Sequence, residues 1–251
     1  MKKIMSLSSI LAILFSQTGC IGNKEDKNEK LLSAIVNGET IAVKELLSSG
    51  ANVNATSEEN MSALMIAVWL GQQEIVSVLL ANGAKTDTQD ENGYSALMLA
   101  SHKGYTEIAK MLLAAGANVN VYDNEGSTAL LFASEQGNID LVRALVNANV
   151  NINAQDKNGK TALRDASVNG HTEVVQLLLS SGADANIQDE YGRTALMSAS
   201  MNGHTQIVQE LLANGADVSI KDSEGDTALD DAELNDNTEI IKLLKSAGAK
   251  E

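Results

Sequence analysis

The sequence predicts an all-α repeat solenoid of about seven units, each a helix-turn-helix closed by a hairpin-like turn loop. Three observations predict it. The segment Asp156 to Gln188 is 33 residues long, and its parts recur down the chain at that interval. Asp-x-x-Gly starts fall at Asp90, Asp123, Asp156, Asp189 and Asp222, and Thr/Ser-Ala-Leu follows at Ser95, Thr128, Thr161, Thr194 and Thr227. Each unit also carries more leucine than two helices and a turn can bury alone. A fixed period of this size marks stacked supersecondary units, whose neighbours bury one another's apolar faces.

Within one unit, the Thr161 hydroxyl suits an N-cap for a short helix running through Val168. Leu163 and Ala166, three apart, give that helix a small apolar edge. Asn169-Gly170 ends it, glycine being the cheapest residue for a left-handed exit. Thr172 is read as the cap of a second helix with a broad apolar face of Val174, Val175, Leu177, Leu178 and Leu179. Gly182 ends that helix, and from Ala183 the chain turns back in extended form.

These pieces together resemble the ankyrin repeat: Asp156, Gly159, Thr161-Ala162-Leu163, Ala166, Gly170-His171, Val174-Val175, Leu177 to Leu179, Gly182-Ala183 and Asn186. The resemblance covers roughly Lys24 to the C-terminus, with units starting near 24, 57, 90, 123, 156, 189 and 222, and the repeat domain proper is set at 31–251. One departure is systematic. The family usually carries Thr-Pro-Leu-His, whereas this chain has no proline, and Ala63, Ala96, Ala129, Ala162, Ala195 and Ala228 stand in its place. A helix start tolerates this, because alanine is the best helix former. The histidine place holds Met65, Met98, Leu131, Arg164, Met197 and Asp230. Without that histidine's hydrogen bonds, the bases of the turn loops are expected to be looser than the family norm.

In chain order, Met1-Lys2-Lys3 and the apolar run Ile4 to Phe15 read as a signal sequence over residues 1–19. The run is shorter than the roughly 20 residues of a membrane span. Thr18-Gly19-Cys20 resembles a lipobox, although Gln17 stands where leucine is usual, and Cys20, the single cysteine, is the residue that would be acylated. With no second cysteine there is no internal disulfide. Residues 20–30 are then the lipidated cysteine and a polar spacer. Ile21 beside the cysteine resembles outer-membrane sorting, and a secreted protein is the alternative localisation. In the first unit Leu31, Ala34, Ile35, Ile41, Val43, Leu46 and Leu47 keep the inward pattern. In the last, Lys245 replaces a leucine and Asp236 the glycine between helices, as suits an end cap. Asn149-Val150 replaces Gly-Ala in the fourth unit, asparagine being next best in a left-handed cap.

The net charge of −15 argues against nucleic acid and against lying on an anionic membrane surface, and it would steer in a basic partner. Catalytic and metal patterns are missing. His171 and His204 occupy the repeat's Gly-His-Thr place, and no zinc spacing or phosphate loop is present. The Asp-x-x-Gly stretches lack the bidentate glutamate of a calcium loop. The chain is therefore read as a non-enzyme without cofactor or metal.

Ankyrin arrays, by resemblance, bind proteins on a concave face built from loop tips and first helices. Carried onto the variable places here, that implies Met61, Trp69 and Leu70 in the second unit and Tyr94, His102 and Lys103 in the third. Tyr191, Arg193 and Met201 follow in the sixth. The expectation is thus a monomeric, envelope-located scaffold for a protein partner, touching the membrane only through its lipid. An immunity or inhibitor protein against a periplasm-acting toxin or hydrolase is one alternative. An accessory to an envelope stress-defence enzyme is another.

Overall fold

The computed structural model describes residues 27–250; the leader, Cys20 and the start of the spacer lie outside the described residues. Among those described there are fourteen helices and no strand. The chain divides into two compact units, one ending at Asn118 and the other beginning at Val119. The first holds α1 (Lys27–Val36), α2 (Thr40–Ser48), α3 (Ala63–Trp69), α4 (Gln73–Ala81), α5 (Ala96–Lys103) and α6 (Thr106–Ala114). The second holds α7 (Ala129–Glu135), α8 (Ile139–Asn147), α9 (Ala162–Val168), α10 (Thr172–Ser180), α11 (Ala195–Met201), α12 (Thr205–Ala213), α13 (Ala228–Leu234) and α14 (Thr238–Ser246). In each unit an odd-numbered first helix packs on the even-numbered helix after it. First helices stack on first helices, and second on second.

The first helices are buried further round than a small apolar edge requires. In α3, Ala63 through Val68 are all buried, because neighbours cover the helix on both sides as well as from behind. Second helices bury only a narrow stripe, Ile75, Val76 and Leu79 in α4 and Ile207, Val208 and Leu211 in α12. Leu177 accordingly falls half-buried at the stripe's edge, while Val174, Val175, Leu178 and Leu179 lie inside. The same frame corrects the first repeat. Val43 is buried, but Leu46 and Leu47 are only half-buried and Ile41 is 74% exposed. Ile41 holds the place that Glu74 holds in α4, where the helix faces water.

The first-helix caps form as the sequence implies. Ser62, Ser95, Thr128, Thr161, Thr194 and Thr227 each accept a hydrogen bond from the backbone N–H three residues on. Such a cap is worth about 1 kcal/mol. Thr172 does not cap α10; it is the helix's first residue, with His171 before it. The His171 ring reaches back instead, its Nε2 lying 3.0 Å from the Glu135 carbonyl oxygen of the preceding repeat. His204 does the same with Val168 at 3.1 Å, and the Asn237 amide donates to the Ser200 carbonyl at 2.9 Å. In these three repeats the side chain before the second helix joins repeats, whereas Asn138 caps α8, its Oδ1 accepting from Leu141 N–H at 3.1 Å.

The hairpin is reduced to a turn, with one isolated antiparallel bridge between Thr56 and Ser62. Its base is not loose. Asp156 N–H donates to the Lys160 carbonyl at 3.0 Å, and Gly159 N–H to the Asp156 carbonyl at 2.9 Å. The second unit of the array closes the same turn with Ser57 and Asn60, the latter at φ 59° in the glycine's place. Asn149 and Asp236 take the left-handed exits at φ 59° and 55°. At one histidine place a carboxylate replaces the missing bonds: Asp230 Oδ2 accepts from Thr227 N–H and Oγ1, both at 2.7 Å.

Candidate partner-binding surface

The loop tips are fixed by a carboxylate at the base of each turn. Asp189 Oδ1 accepts from the N–H groups of Tyr191 and Arg193 at 2.9 and 3.0 Å, and Asp90, Asp123, Asp156 and Asp222 repeat the arrangement. Neighbouring tips in the second unit are also tied backbone to backbone. Lys157 N–H donates to Glu125 carbonyl, Glu190 N–H to Asn158 carbonyl and Ser223 N–H to Tyr191 carbonyl, at 2.8 to 2.9 Å. A second ladder runs through the segments that follow the second helices. Side-chain oxygens of Asn54 and Asp87 accept from the backbone N–H of Lys85 and Asn118 in the first unit. Asn120, Asn153 and Asn186 accept from Asn151, Asp184 and Asp217 in the second. These are obligatory backbone donors satisfied across a repeat boundary, so the loops are ordered without a partner.

On the first unit, Trp69 ends α3 and Leu70 caps it, both part-exposed, while Lys103 ends α5 and is exposed. The Lys103 ammonium lies 3.6 Å from the centre of the Trp69 ring, a cation–π contact between consecutive repeats. At a partly exposed site that is worth about 0.5–1 kcal/mol. His102 is half-buried beside Lys103. Met61 and Tyr94 do not join this surface: they are 1% and 8% exposed.

On the second unit, Tyr191 stands 58% exposed at a loop tip. Arg193 occupies the place of Met61 and Tyr94 and also turns inward, toward Asp222 and Asp231 of the next repeat. Its Nη1 touches the Met201 sulfur at 3.4 Å. Arg164 behaves likewise toward Asp165 and Asp189, at 3.2 Å to each. Burial pushes the Asp165 carboxyl upward, against the pull of Arg164 and Lys160. Hydrogen bonds from Thr227 hold Asp230 below the usual range. Met201 ends α11 as Trp69 ends α3, and the same place in the last repeat is Leu234, 80% exposed. Sequence reasoning overlooked Leu234, although counting one period on from Met201 reaches it.

The arrangement offers apolar and aromatic contact area on fixed backbone. Among the described residues, no three His, Cys, Asp or Glu side chains gather as a group able to hold a metal ion. No described helix is long and apolar enough to cross a membrane. A family model described as ankyrin repeats (3 copies) matches residues 7–90, 31–123, 97–189 and 166–251. A comparison with curated proteins returns no match.

Proposed function

Because the chain belongs to the ankyrin repeat family, whose repeats mediate protein–protein binding, we propose that it is a non-catalytic scaffold recognising one protein partner in the bacterial envelope. The observation that carries this reading is the Trp69–Lys103 stack. An aromatic ring that is only partly covered is held in one orientation by a cation from the next repeat, with Leu70 beside it. Tryptophan is a usual anchor of protein interfaces, and a surface ordered before binding loses little entropy when a partner arrives. The excess of acidic groups supports a basic partner, which would be steered in quickly.

Export and a lipid on Cys20 are part of the proposal and rest on the leader sequence. The test is affinity capture from envelope extract with protein starting after Cys20, beside a Trp69→Ala/Leu70→Ala variant. A partner retained by the wild type and lost by the variant supports the surface; equal retention rejects it. Assaying the captured protein with and without the scaffold separates an inhibitor, which lowers its activity, from an accessory, which preserves it. Fractionation of a Cys20→Ser variant tests the anchor: release from the membrane fraction supports it.

A further inference from the structure

The last two repeats share one guanidinium between two buried carboxylates. Arg193 Nε lies 3.4 Å from Asp222 Oδ2, and its Nη2 lies 3.9 Å from Asp231 Oδ1. The side chains of Asp222 and Asp231 are 3% and 5% exposed. Both carboxylates belong to the last repeat, Asp222 in its opening turn and Asp231 in the first turn of α13; Arg193 belongs to the repeat before. Asp222 has the closer contact and also accepts two backbone N–H bonds, from Glu224 and Asp226 at 2.9 and 3.0 Å. Asp231 is left with the long side of a shared cation. One positive charge cannot offset two buried negative ones, and the desolvation penalty falls on the worse-paired group.

We propose that Asp231 is a proton switch for the last repeat: with its carboxyl neutral, α13 and α14 stay docked on α11 and α12, and with the carboxylate charged they open more often. Burial pushes the Asp231 carboxyl from 3.8 up to about 6; Arg193 opposes this, while Asp222, Asp226 and Asp230 add to it. No helix packed on α13 brings a second compensating cation into play. α11 carries no ionisable residue, and α14 brings Glu239, Lys242 and Lys245, of which Lys245 is engaged by Glu233 at 3.0 Å. A carboxyl whose folded value is raised contributes stability that is complete below about 3.8. That stability is lost as pH rises through about 6. Among the described residues this repeat packs against a neighbouring repeat on one side only, so such a loss shows there as a local opening.

The test is amide hydrogen exchange of the full chain, corrected for intrinsic rates, at about pH 5 and about pH 7.5. By linkage, a shift from 3.8 to about 6 raises the opening constant about tenfold between those conditions. The expected result is that loss of protection in α13 and α14, absent in Asp231→Asn and retained in Asp165→Asn. A wild-type change that persists in Asp231→Asn overturns the proposal. So does a carboxyl titration, followed by carbon-13 NMR in the wild-type protein, that places Asp231 below about 4.5. The second measurement needs no variant and stands if Asp231→Asn folds poorly.

Discussion

Removing the Asp189 carboxylate should unfold the array more readily than removing the equivalent group one repeat earlier, and the difference can be worked from contacts. Asp156 Oδ1 accepts two backbone N–H bonds, from Asn158 and Lys160, both at 2.9 Å. Hydrogen bonds to a charged acceptor contribute about 1.5–3 kcal/mol each, and part returns when water reaches the freed turn, so Asp156→Ala should cost about 2–4 kcal/mol. Asp189 makes the same two bonds, and its Oδ2 also lies 3.2 Å from Arg164 Nε. That contact is close but poorly aligned for a hydrogen bond, so Coulombic attraction carries it. Stripping one partner from a buried pair costs about 3–5 kcal/mol when the other charge is left alone. Arg164 is not left alone, since Asp165 stays at 3.2 Å. The added loss is therefore about 1–2 kcal/mol, and a double-mutant cycle of Asp189→Ala with Arg164→Met should return it as the coupling energy. Urea unfolding followed by circular dichroism reads both values. Equal midpoints for Asp156→Ala and Asp189→Ala would remove the cross-repeat pair from the account. Values within about 0.5 kcal/mol of wild type for both would refute the carboxylate's role in the turn.

Four further substitutions discriminate backbone strain from contact. Gly159→Ala places a Cβ 2.9 Å from the Asp189 Cα at φ 75°, so it should cost several kcal/mol, whereas Gly182→Ala at φ 92° meets nothing within 4 Å and should cost about 1 kcal/mol; urea midpoints separate them. Asn149→Gly relieves a non-glycine residue at φ 59° and should raise stability by up to about 1 kcal/mol, seen as a higher thermal midpoint. Asn153→Ala frees the Asp184 N–H at an exposed loop and should cost about 0.5–1.5 kcal/mol, with faster exchange at Asp184 and no change in the turn of Asp189.

Much of the repeat was legible because its signals are local. A Thr or Ser before Ala-Leu, a glycine after each short helix, and even the substitutes Asn149 and Asp236 act within a few residues of themselves. What escaped acts across the period. Thr172 looks like a cap residue in sequence, and only the stack shows it inside the helix, with the His171 ring before it on Glu135 of the preceding repeat. The loop ladder of Asn54, Asp87, Asn120, Asn153 and Asn186 repeats in the sequence as visibly as the leucines, but its partners lie 31 residues on. Met61 and Tyr94 sit at variable places, yet variability does not report direction, and both side chains are buried. Arg193 combines the two problems: its Nη1 meets the Met201 sulfur, and its charge belongs to Asp222 and Asp231. Ile41 was misread for a simpler reason, since an apolar residue on a short helix gives no sign of which face it occupies until the neighbouring helix is placed.

The most direct test of the account is the affinity of the captured partner for three versions of the protein. They are the wild type, Trp69→Ala/Lys103→Ala, and Glu107→Ala/Lys110→Ala, which removes an exposed ion pair on a second helix. The account predicts at least a tenfold weaker dissociation constant for the first variant, as for loss of an interface anchor, and an unchanged one for the second. An unchanged constant for Trp69→Ala/Lys103→Ala, or an equal loss in both variants, would contradict it.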